Sequence, residues 1–240
     1  MARSRNRNNK IQKIGAVFGL IAGLIIVSFI IVQFVWVTGL TEITPEAIVQ
    51  WTIDHHFLLF YYPLLIMALI FFGVLLQGID DRLKAVSPNL AALSNRFGWM
   101  TILLIILSLS AEWIHVYLNS TVWNEEIALQ FSRLTFNTIT FFQVASYPFF
   151  AGWLIVTGIG GIVSKRFSKL FSWVAIIAGI VVGLQFFGEQ WQAFFSIPLI
   201  YYLGYVSPYA FVILIWASFE LLVRKTPRTI SEEPNMNRSV

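Results

Sequence analysis

Six long apolar runs, and the side on which the charges between them fall, constrain this chain more than anything else in its sequence. The runs cover residues 14–37, 57–77, 97–118, 147–164, 170–188 and 197–223. Each approaches or exceeds the about 20 residues that a helix rising about 1.5 Å per residue needs to cross about 30 Å of hydrocarbon. Lipid offers backbone groups no hydrogen-bond partner, so such runs fold as helices. Drawn as spans, they put 15 of the 16 Lys and Arg residues on one side, with only Arg133 opposite. All three His and 7 of the 12 carboxylates share the side of Arg133. Basic residues beside spans stay in the cytoplasm. The expectation is an all-α integral membrane protein of the plasma (inner) membrane, a single bundle of six transmembrane helices with both termini inside.

Composition agrees. At 58% hydrophobic and 12% charged residues, the chain is far from the roughly 45–50% and 25% of soluble domains. The net charge of +4 is divided among short juxtamembrane segments, so it predicts contact with lipid headgroups and no nucleic-acid face. Cysteine is absent, which excludes disulfides, thiolate nucleophiles and sulfur-ligated metals. The first run is longer than the apolar core of a signal peptide and has no small-residue cleavage site, so it reads as a retained span.

Residues 1–13 read as a basic cytoplasmic tail too polar to pack, and 224–240 as a second tail. Thr44 and Pro45 are a cap-and-start signal for a short surface helix over 44–51, and Ser87 and Pro88 repeat the signal ahead of the third span. Residues 134–146 either extend the fourth span as one helix passing through Pro148 or lie in the interface; the continuous helix is preferred. Glu220, one turn before Arg224, predicts a salt bridge.

Gly15, Gly19 and Gly23 on the first span, and Gly179 and Gly183 on the fifth, form small-residue stripes. Such stripes serve close packing inside a bundle, or association with another copy or a partner membrane protein. Trp36, Trp51, Trp113, Trp123 and Trp191 fall near one membrane boundary and Trp99 and Trp173 near the other, as an aromatic belt.

One polar cluster is candidate for a site. Glu112 and His115, spaced i, i+3, share a helix face in the outer third of the membrane, where ionisable groups are costly and turn toward a bundle interior or a wet cavity. Asp54, His55 and His56 begin the second span at the same height, Glu189 ends the fifth, and Arg133 lies in the connection above. The ligand-pocket candidates are Asp54, Glu112, His115, Arg133 and Glu189. His55, His56, Glu112 and His115 are the candidate ligands should a divalent metal bind, although no resident cofactor is predicted. Adjacent His55 and His56 point about 100° apart on a helix, and Asp54 reads equally as a cap. The motifs H-E-x-x-H, G-x-S-x-G, G-x-x-x-x-G-K and H-x-x-x-H are all absent.

The layout resembles a bacterial six-span membrane family, domain of unknown function 4386. The likeness lies in the Gly-rich first span and the run Pro88-Asn-Leu-Ala-Ala-Leu-Ser-Asn-Arg-Phe97. It continues in Phe150-Ala-Gly-Trp-Leu154, Lys165-Arg-Phe-Ser-Lys-Leu170 and Phe219-Glu-Leu-Leu-Val-Arg-Lys225. It covers nearly the whole chain, from about Ile14 to Lys225, and implies the six-span architecture, with no activity to carry over. The residues favour a non-enzymatic accessory or small-ligand or ion-binding bundle with a polar pocket on the extracytoplasmic side. A metal-dependent membrane enzyme using Glu112 as acid or base is the alternative, and a small transporter a further one.

Overall fold

The computed structural model describes residues 2–37, 58–121, 125–191 and 210–223. These form helices α1 (Ala2–Val37), α2 (Leu58–Lys84), α3 (Pro88–Thr121), α4 (Glu125–Ser164), α5 (Lys169–Trp191) and α6 (Val212–Val223), with no strand among the described residues. Five of them, α1 to α5, contain stretches long and apolar enough to cross a membrane; α6 is apolar over a shorter length. The surface fits lipid, since Leu24, Ile70, Leu103, Val163 and Ile177 all face outward. A soluble protein would bury such residues.

Helix limits follow local chemistry. Ser87 precedes Pro88 at the start of α3, where the missing proline N–H costs nothing, and its carbonyl accepts the Ala91 N–H at 3.0 Å. The 134–146 segment belongs to α4, one helix running through Pro148. The basic start, expected as an unpacked tail, belongs to α1, and Gln12 is buried, donating to Asp81 Oδ2 at 3.0 Å. Helix α2 runs past residue 77, through Asp80, Asp81 and Arg82 to Lys84. The 44–51 helix, and residues 197–209 of the sixth predicted span, lie outside the described residues.

Consecutive helices from α1 to α5 pack side by side, α6 returns to α1, and α2 also touches α4 and α6. Glycines allow close approaches between helices. A Cβ on Gly15 would lie 3.0 Å from the Val74 carbonyl oxygen of α2, while Gly19 and Gly23 meet Ser218 and Ile215 of α6. Gly179 sits against Ile155 and the Ala151 carbonyl of α4. Both small-residue stripes thus make contacts within the chain, gaining dispersion energy unavailable against lipid. Buried Phe72 and Phe150 flank Trp153, with ring centroids 5.0 and 5.8 Å away.

The end of the bundle where α2 meets α3 and α4 meets α5, here called the basic end, is tied together by polar groups. Arg82, only 2% exposed, donates to the carbonyls of Glu220 at 2.6 Å and Leu221 at 3.2 Å, and lies over the Phe167 ring. Those carbonyls fall in the last described turn of α6, so the guanidinium ties α2 to that end of the helix. Lys165, at φ 53°, ends α4 in the left-handed conformation. Ser168 then caps α5, its Oγ accepting the Phe171 N–H at 3.1 Å. The Glu220 carboxylate accepts from both the Ser168 N–H and the Ser168 hydroxyl. Arg224, its expected partner, lies outside the described residues; the Ser168 contact comes from 52 residues away in sequence and was invisible to a local i, i+4 reading.

Candidate functional site

The bundle-facing side of α3 carries a column of polar residues at seven-residue spacing: Ser94, Thr101, Ser108 and His115, all buried. Seven residues are nearly two helical turns, so the column keeps one face toward the neighbouring helices. Near the basic end Ser94 hydrogen-bonds Thr157 of α4 across 2.8 Å, and Thr101 donates to its own Phe97 carbonyl at 2.9 Å. Ser108 donates across to the Ile139 carbonyl of α4 at 3.3 Å, and Glu112 stands one turn beyond it.

Ser108 and Glu112 open onto a cavity of about 200 Å³ between the helices. Its wall is largely apolar, with Ile26 and Phe29 from α1, Leu65 from α2, Val182 from α5 and Phe211 just before α6. Polar groups concentrate on the α3 and α4 side, where Gln143, Ser146 and Tyr147 join Ser108 and Glu112. The Ser146 hydroxyl donates to the Gln143 carbonyl at 2.7 Å, and the Gln185 amide of α5 reaches the Tyr147 hydroxyl at 3.4 Å. Tyr62 of α2 is a close neighbour of the Glu112 carboxyl. An apolar cavity with a few convergent polar groups is the ordinary form of a small-ligand site.

Prolines shape the same region. Proline lacks an N–H, so Pro63 leaves the Leu59 carbonyl without its helical donor, and Pro148 does the same for Val144. The Trp113 indole N–H fills the first vacancy, donating to the Leu59 carbonyl at 3.0 Å. Pro148 lies between Tyr147 and Phe150, two residues of the cavity wall.

The face bearing Glu112 and His115 looks into the bundle, as the cost of ionisable groups in lipid requires. The two residues do not share one role: Glu112 lines the cavity, whereas His115, one turn farther along, is buried outside its lining. Asp54, His55 and His56 lie outside the described residues, as do the side chains of Arg133 and Glu189. Among the described residues no three His, Asp or Glu groups come together as a metal site. Sequence reasoning missed Tyr62, Ser108, Tyr147, Phe150 and Phe211. The seven-residue polar spacing on α3 would have found Ser108; the aromatic residues carried no distinguishing signal in a chain with 22 Phe and 8 Tyr. No family model matches the chain, and neither a curated protein nor a solved structure matches it.

Proposed function

We propose that this protein is a non-enzymatic six-span bundle of the plasma membrane that binds a small ligand in the cavity beside Glu112. Both termini and the basic end lie in the cytoplasm in this reading, as the distribution of Lys and Arg favours. The cavity then belongs to the outer half of the membrane and opens to the extracytoplasmic side. The observation that carries the proposal is the convergence of Glu112, Ser108, Gln143, Ser146 and Tyr147 on one largely apolar cavity. Buried carboxylates in spans are expensive, and dense packing alone would have favoured an apolar side chain at residue 112. At the other end, the contacts of Arg82 and Ser168 support a closed floor.

The test is saturable binding of a neutral single-ring probe, 2-phenylethanol, to the purified protein in lipid nanodiscs. Binding stabilises the native state by mass action and raises its Tm. The Ser108→Phe variant, which fills the cavity, is expected to keep its helical content and lose the response. An undiminished response in that variant would place the probe elsewhere and count against the proposal.

A further inference from the structure

We infer that the ligand of this cavity is a small organic cation, an amine attached to one aromatic or similarly compact apolar group; the inference rests on the cavity reading above and adds its chemical class. The first argument is the direction of the hydrogen bonds. A serine hydroxyl has one proton to donate. Ser108 gives its proton to the Ile139 carbonyl and Ser146 to the Gln143 carbonyl. Both hydroxyls therefore meet a ligand with lone pairs. The Glu112 carboxylate adds acceptor capacity, since its two oxygens can take a ligand donor even with the Tyr62 hydroxyl close by.

The second argument is charge. Among the described residues the cavity wall includes one carboxylate and no Lys, Arg or His. An anionic ligand would face Glu112 with no cation among the described wall residues to offset it, and like charges in a low-dielectric site repel strongly. An ammonium group would instead neutralise the carboxylate in a setting where its own desolvation needs such a partner.

The third argument is the wall itself. Phe29, Tyr147, Phe150 and Phe211 all line it, with the Phe150 and Phe211 rings stacked at 4.6 Å. Aromatic faces attract cations, most strongly when water is excluded. Size completes the description. A buried apolar cavity of about 150 Å³ accepts benzene, so one of about 200 Å³ has room for a ring with a short aminoalkyl arm.

The experiment compares three probes of nearly one shape on the full-length protein in nanodiscs, by calorimetric titration: 2-phenylethylamine, 2-phenylethanol and 3-phenylpropionate. The amine should bind about tenfold or more tighter than the alcohol, a difference of about 1.4 kcal/mol, and the carboxylate should bind weakest. In Glu112→Gln the preference for the amine should fall to about threefold or less while alcohol binding remains, which also reports that the variant is folded. If that variant does not fold, the wild-type ranking decides the matter. Equal or tighter binding of the alcohol or the carboxylate, or an amine preference that survives in Glu112→Gln, would overturn the cationic class and leave the cavity reading standing. If none of the three binds, both fail.

Discussion

The Trp113 indole and the Leu59 carbonyl are joined by a 3.0 Å hydrogen bond between α3 and α2, and the reason the carbonyl is available is Pro63 four residues farther along. One proline thus creates a polar vacancy that a tryptophan on the adjacent helix fills. The pairing fixes α3 against α2 one residue from Glu112, so it helps set the side of the cavity on which the carboxylate lies. A double-mutant cycle tests this. Trp113→Phe should cost about 1 kcal/mol in the wild-type background, the usual value of such a bond. In a Pro63→Ala background the residue-63 N–H can serve Leu59 itself, and the same replacement should cost much less. Equal costs in both backgrounds, read from reversible unfolding in detergent, would remove the link.

Arg82 should be among the least replaceable residues at the basic end. Its removal leaves the Glu220 and Leu221 carbonyls without this buried donor and opens space beside Phe167. Arg82→Ala is expected to lower stability by roughly 2–4 kcal/mol. Arg82→Lys should recover only part, because an ammonium cannot reproduce the planar fork that serves two carbonyls. Thermal unfolding of the three proteins in one detergent checks the order.

Two glycines should respond oppositely to alanine. At Gly158 an added Cβ would lie 2.5 Å from the backbone oxygen of Ser172, whereas at Gly183 the nearest atom, the Ala151 Cβ, is an ordinary 3.6 Å away. Gly158→Ala should therefore force α4 and α5 apart at a cost of about 1–3 kcal/mol. Gly183→Ala should be neutral or stabilising by up to about 1 kcal/mol, through lost freedom of the unfolded chain. Similar melting temperatures for the two variants would contradict this account of the interface.

What the sequence made legible, and what it did not, divides by distance along the chain. The apolar runs mark the helical segments because lipid leaves the backbone few choices, and Ser87 with Pro88 marks the start of α3 because capping is local. Glu112 stood out because a carboxylate inside an apolar run needs a reason. The contacts of Arg82 with α6 and of Ser168 with Glu220 span 138 and 52 residues, and no local pattern encodes them. The cavity was unreadable for a related cause. Its wall is drawn from helices α1 to α5 and from Phe211 just before α6, and whether Phe150 lines a void or fills a core depends on how those helices cross. Glu112 and His115 are alike in spacing but differ in setting, since helical periodicity fixes direction and says nothing of how far the neighbouring helix lies.

Access to the cavity from the extracytoplasmic side is the central claim, and the absence of cysteine from the chain makes it directly measurable. A single cysteine replaces Ser146 in the cavity wall and, in a second protein, Ser87 at the turn of the basic end. Each is exposed to a membrane-impermeant cationic methanethiosulfonate in right-side-out spheroplasts and in inverted vesicles. Ser146→Cys should be modified from the outside, more slowly when 2-phenylethylamine is present, and Ser87→Cys only in inverted vesicles. A Ser146→Cys protein that is inert from the outside, or that reacts only from the face that labels Ser87→Cys, would contradict the account.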